Sequence, residues 1–186
     1  DLLTSDTFGR LKYLLFYFWL TPFLNTVFKG RDFEKLCHGS RKIAFWKRLR
    51  SPASFSDREG IEEVDIVITI GQVVILVECK YRSSVQPEVV GHKRDQIIRY
   101  LDAAVFKYWP DSGINRQIFF VLLTDDEVEP EILSQYRNPQ KIFTGLTQSR
   151  PFINYEYISE RLAHNVGWGK WSDILQVLKS QDLKKV

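Results

Sequence analysis

Two runs rich in β-branched residues meet across two turn residues near the middle of the chain: IEEVDIVITI at 61–70, Gly71-Gln72, then VVILVECKY at 73–81. Valine and isoleucine are stiff at χ1 and favour extended backbone, and a Gly-containing two-residue link closes antiparallel strands into a hairpin. Over most of their length both runs are apolar at odd and even positions alike, so neither strand has a face suited to water. Strands of this kind lie at the centre of a sheet covered on each side.

The flanking sequence supplies the cover. Residues 5–20 predict a buried helix, capped by Ser5 or Asp6 and stopped before Pro22, and residues 31–37 a second, short helix ending near Gly39. Residues 42–49 (KIAFWKRL) predict a strand, followed by a loop rich in Ser, Pro and Gly at 51–60. Beyond the hairpin, Ile97, Ile98, Leu101, Ala104 and Val105 recur at helical spacing within 89–108, and QIFFVLLT at 117–124 predicts a further strand. A short helix from Pro130, a strand over 152–158 and an amphipathic helix after Trp171 complete the order. The expectation is an α/β fold: a mixed central sheet flanked by helices in three layers.

With 186 residues, 44% of them apolar and 26% charged, the chain is long enough for a proper core and is read as one domain over 1–186, with a core at about 5–124 and a C-terminal elaboration at 125–186. Cys37 and Cys79 cannot build the disulfide framework of a small secreted domain, and neither has a partner at zinc-site spacing, which points to a reducing, cytoplasmic setting. The stretch 11–28 is the one membrane candidate. Lys12, Thr21, Pro22 and Asn25 interrupt it, and its unbroken apolar part, 13–20, is far shorter than the roughly 20 residues a spanning helix needs, so no membrane is expected.

The chemistry concentrates on the hairpin. Glu78 and Lys80 are two residues apart and project from one face of their strand, while Cys79 points the other way. Both charges end an oily strand, where an unmatched charge is costly to desolvate. On the preceding strand Asp65 interrupts an apolar run in the same manner, with Glu63 on its face by simple alternation, and the turn between the strands sets Asp65 opposite Glu78 or nearly so. Two carboxylates brought together repel unless a cation occupies the space between them. Oxygen ligands suit magnesium or manganese, and a lysine alongside can hold the attacking water or neutralise charge developing on phosphorus. That constellation describes phosphodiester hydrolysis. Taken singly the residues are less telling: Glu78 and Lys80 also suit an ordinary ion pair, and Asp65 a solvent-facing acid.

Asp65, then Glu78-Cys79-Lys80 thirteen residues later, then Gln96 on the following helix, resembles the PD-(D/E)XK nuclease superfamily, with Val64 standing where the proline would be. The resemblance implies a restriction-endonuclease-like αβββαβ core over about 5–124. In it the strands near 42, 61 and 73 form the meander and 89–108 the crossover helix. It implies Asp65 and Glu78 as ligands of one or two Mg2+ or Mn2+ ions, Lys80 as the residue that positions or activates water, and Gln96 beside the site. An acid on the first helical segment is common in that family, and Glu34 is the nearest candidate; Glu63 is a second possible additional ligand.

A net charge of +3 does not by itself imply a polyanion partner, but its distribution is uneven. Arg41, Lys42, Lys47, Arg48 and Arg50 form a block without an acid. Beside a phosphodiester site, Lys47, Arg48 and Arg50, together with Arg82, Lys93, Arg94 and Arg99, would track a nucleic-acid backbone. The expected partner is therefore nucleic acid, DNA on the strength of the resemblance alone. Two rivals remain: a catalytically inactive nucleic-acid- or partner-binding domain that keeps the nuclease fold, and a phosphodiesterase acting on a small cyclic oligonucleotide. Trp168 and Trp171 are read as anchors of the last helix, and His38, His92 and His164 lie in unrelated segments.

Overall fold

The hairpin forms at the expected residues in the computed structural model of the chain, which describes residues 2–50, 61–81, 94–109 and 116–182. Strand β2 (Ile61–Ile70) pairs antiparallel with β3 (Val73–Lys80), Ile70 standing opposite Val73 across the turn. Gly71 takes φ +53°, and a Cβ there would sit 2.1 Å from the carbonyl oxygen of His38, so this turn admits no side chain. Strand β1 (Arg41–Arg50) adds antiparallel to the outer side of β2. On the other side of β3, β4 (Gln117–Thr124) and β5 (Val166–Lys170) add in parallel, giving a mixed sheet in the order β1-β2-β3-β4-β5.

Two hydrophobic clusters sandwich the sheet. On one face lie α1 (Leu2–Leu11), α2 (Phe16–Val27), α3 (Phe33–Leu36) and α8 (Trp171–Asp182), packed on Ile66, Ile68, Ile75, Val77, Phe119 and Val121. On the other lie α4 (Gln96–Tyr108), α5 (Glu131–Ser134), α6 (Pro139–Thr147) and α7 (Glu156–Ala163), packed on Val67, Val74, Leu76, Phe120 and Leu122. The chain is thus α/β, three-layered, with its central strands apolar on both faces as the sequence requires.

Four elements depart from expectation, and the simplest is α6, a helix over Pro139–Thr147 where none was expected. The helix expected over 5–20 is two helices, and the second runs straight through Pro22. A continuous helix would hold Phe8 and Trp19 about 16 Å apart along its axis. Instead Leu15 is extended and the chain doubles back, bringing the two rings edge to face at 5.8 Å. Burial of Phe16, Trp19, Leu20, Thr21, Phe23 and Leu24 outweighs the one backbone donor that Pro22 lacks. The strand expected over 152–158 is instead a bend leading into α7, whose buried positions Ile158, Ser159, Leu162 and Ala163 have helical spacing. Strand β5 was not expected. It carries Gly167 and Gly169, where added Cβ atoms would meet Val27, Phe28 and Phe23 of the overlying N-terminal segment at 2.5–2.9 Å. The expected loop 51–60 and the first residues of the helix expected at 89–108 lie outside the described residues; α4 begins at Gln96, with Asp95 accepting the Ile98 N–H as its cap. Among the described residues no helix is long and apolar enough to cross a membrane.

Candidate active site

The site is built where the regular sheet breaks. β1 and β2 keep one register from Arg41 opposite Ile70 to Arg50 opposite Ile61, except where Trp46 stands across from Asp65. Trp46 has φ +46°, in the left-handed region that a bulky L-residue rarely enters. Both strands turn over at this point. On β2, Ile66, Ile68 and Ile70 pack toward the N-terminal helices, whereas Val64 packs toward α4; on β1, Ile43 and Phe45 pack one way and Leu49 the other. In a regular strand, residues two apart would share a face.

The β2–β3 ladder ends at the same place. It runs from Ile70 and Val73 to Ile66 and Val77, and Asp65, next in line to face Glu78, substitutes its side chain for the missing backbone partner: the Cys79 N–H donates to Asp65 Oδ2 at 2.8 Å. The carboxylate is thereby fixed where the β2–β3 ladder ends, beside the charged end of β3. Burial pushes the neighbouring Cys79 thiol far above its ordinary pKa and so disfavours its thiolate.

Glu78 faces α4 and is only 5% exposed. Its Oε1 accepts from Lys80 Nζ at 2.7 Å and from Gln96 Nε2 at 3.3 Å. Gln96 also donates to the Tyr100 hydroxyl at 2.6 Å, and that hydroxyl donates to the Glu63 carbonyl at 3.0 Å, so the first turn of α4 ties Glu78 to the end of β2. Glu78 Oε2 is buried with no hydrogen-bond partner. Burial holds its pKa above the ordinary glutamate value, with the Asp65 charge adding to the rise and Lys80 opposing it. A buried carboxylate with an orphaned oxygen, beside a second carboxylate, is a donor set suited to a hard divalent cation. Asp65 and Glu78 would hold such an ion. Among the described residues no group of three or more His, Cys, Asp or Glu gathers that could hold a metal ion.

The structure brings Asp65, Glu78, Lys80 and Gln96 together and separates the other candidates. Glu63 belongs to β1's side: its carboxylate accepts from Arg48 Nε at 3.2 Å, because the strand reversal removes it from Asp65's face. Glu34 is exposed on α3, just before residues 38–40, which pack on the Gly71 turn at the opposite end of β3 from Glu78. Arg94 and Arg99 are both buried. Arg94 is buried, donating to Asp102 Oδ2 at 2.8 Å and to the Gly145 carbonyl, and Arg99 is buried against Glu62 at 2.9 Å; each charge is spent inside the molecule. Arg48 and Arg50 are exposed on β1 and Lys47 is half-buried. Arg82 and Lys93 lie outside the described residues. Missed by sequence reasoning was Tyr100, whose signal was its position one helical turn after Gln96.

Compared with family models, curated proteins and solved structures, the chain matches none.

Proposed function

We propose that the protein is a metal-dependent nuclease that hydrolyses DNA phosphodiester bonds, with a restriction-endonuclease-like αβββαβ core formed by α3, β1, β2, β3, α4 and β4. One observation carries the reading: Asp65, Glu78 and Lys80 converge where β2 parts from β3, and Glu78 keeps a buried oxygen without a partner. Asp65 and Glu78 would hold one or two Mg2+ or Mn2+ ions, which when bound would supply Lewis-acid polarisation of phosphoryl oxygens and water. Lys80, half-buried and tethered to Glu78, presents its ammonium where charge develops on the phosphoryl group and can orient the attacking water. Gln96 and Tyr100 fix the Glu78 rotamer and so act as positioning residues. Keeping acid, acid and lysine together in one cluster favours catalysis over a binding-only role, in which Glu78 would bear its desolvation cost to no chemical end.

The test is incubation of plasmid, single-stranded DNA and RNA with Mg2+, Mn2+ or EDTA, for the wild type and Lys80→Ala. Expected is DNA cleavage that EDTA abolishes and that Lys80→Ala slows by about 100-fold or more. Cleavage persisting in EDTA, or undiminished in the variant, would overturn the mechanism.

A further inference from the structure

Lys42 and Lys47 are five residues apart on β1, an odd spacing that in a regular strand puts side chains on opposite faces. The left-handed Trp46 between them turns the strand over, so both reach the α4 face. There they line one cavity of about 250 Å3 together with Lys107, from the last turn of α4, and Arg116, just ahead of β4. No acid of the described residues lines this cavity, and none of the four cations is ion-paired with one. The Tyr108 ring holds two of them in place, with Lys107 Nζ at 5.5 Å and the Arg116 guanidinium at 5.8 Å from its centroid. Gathering like charges has a cost: burial and then the charges of Lys47 and Lys42 hold the Lys107 pKa below its ordinary value. An anion in the cavity relieves that repulsion.

The cavity shares its face of the sheet with Glu78 but lies at the other end of α4. Gln96 opens that helix beside Glu78, and Lys107 follows eleven residues later, about 16 Å along the axis. Duplex DNA advances about 3.4 Å per base pair, so the separation corresponds to roughly five base pairs.

We propose that Lys42, Lys47, Lys107 and Arg116 form a phosphate-binding subsite that grips the backbone of a polynucleotide about five base pairs from the scissile bond. The subsite rests on the reading of Asp65, Glu78 and Lys80 as the hydrolytic centre, and it narrows the substrate class to a polymer. A cyclic dinucleotide is too small to occupy both places at once.

The decisive measurement is fluorescence anisotropy of a labelled 20-base-pair duplex in EDTA, where no cleavage occurs, across a range of salt. The variants are Lys47→Ala and the double substitution Lys42→Ala with Lys107→Ala, each checked for folding by circular dichroism. The double variant is expected to bind about ten- to a hundredfold more weakly, with the slope of log affinity against log salt shallower by about 1.8 for two lost phosphate contacts. A folded double variant with unchanged affinity and slope overturns the subsite. Lysine acetylation of the wild type gives a second readout independent of any substitution: bound duplex should protect Lys42, Lys47 and Lys107, and equal labelling with and without duplex also overturns it. Tight binding of a cyclic dinucleotide that the double substitution abolishes would make the cavity a small-nucleotide site and end the polymer reading. Duplex binding through this cavity without cleavage in Mg2+ would support the subsite while removing the nuclease assignment.

Discussion

The Cys79 backbone N–H donates to Asp65 Oδ2 at 2.8 Å, at the step where the β2–β3 ladder stops. Asp65 therefore closes the sheet and presents its charge to Glu78 at once, and substitutions can separate these roles. Asp65→Asn retains an oxygen for the N–H and should fold with near-native stability. Asp65→Ala leaves a strand donor unpaired and should cost about 1–3 kcal/mol. Urea unfolding measures that difference. Calorimetric titration with Mn2+ should show that both variants lose affinity, and unchanged binding by Asp65→Asn would remove Asp65 from the ligand set.

Glu78 makes stability depend on pH in a definite direction. Its native pKa lies above the ordinary value of 4.5, so the folded state binds more protons than the unfolded chain between the two values. Below that window the residue contributes no pH dependence. As pH rises through it, the wild type loses stability that Glu78→Gln does not lose, and above the raised value the gap between them is constant. Urea unfolding in EDTA at a series of pH values tests this. Wild-type stability that rises with pH relative to Glu78→Gln, or a difference that does not change, would contradict the assignment of Glu78 as a strained buried acid.

Arg94 looks from the sequence like a substrate contact and is instead half of a buried pair. Asp102, 0% exposed, also accepts from Arg150 Nη2 at 3.1 Å, so one carboxylate balances two guanidinium groups between α4 and the segment after α6. Asp102→Ala removes the buried carboxylate that both cations share and should destabilise the fold by about 3–5 kcal/mol. Chemical denaturation would show it; a loss below about 1 kcal/mol would mean that the two arginines find water.

What the sequence discloses and what it hides divide along physical lines. The hairpin is legible because β-branching and the Gly71-Gln72 link act locally, and Asp65, Glu78 and Lys80 because acids in an oily run conflict with their surroundings. Gln96 is legible only once its helix is placed. Strand β5 is hidden because Gly167 and Gly169 answer to the close approach of α2 and the adjoining Phe28, a tertiary demand that reads locally as a weak strand. The same holds for Arg99, whose partner Glu62 is 37 positions away, and for Arg94, whose pairing with Asp102 on α4 is completed by the Gly145 carbonyl 51 positions on; neither leaves a mark on the local pattern. The strand reversal at Trp46 is likewise silent, since nothing in KIAFWKRL shows that alternation fails after the fifth residue.

Trp46 offers the last test, because its backbone conformation both ends regular pairing opposite Asp65 and turns Lys47 toward Lys42. A left-handed non-glycine residue carries about 1–2 kcal/mol of strain. Glycine adopts that conformation freely but loses more chain entropy on folding, so Trp46→Gly should be more stable than the wild type by up to about 1 kcal/mol, with duplex affinity in EDTA retained. A β-branched residue is worse suited to positive φ than tryptophan. Trp46→Val should therefore lose about 1–2 kcal/mol, or relax the strand and swing Lys47 away from the cavity, and in that second case weaken duplex binding as Lys47→Ala does. Thermal unfolding and anisotropy on the two variants distinguish these outcomes. Valine tolerated without loss of either stability or affinity would mean that the reversal does not depend on the conformation of Trp46.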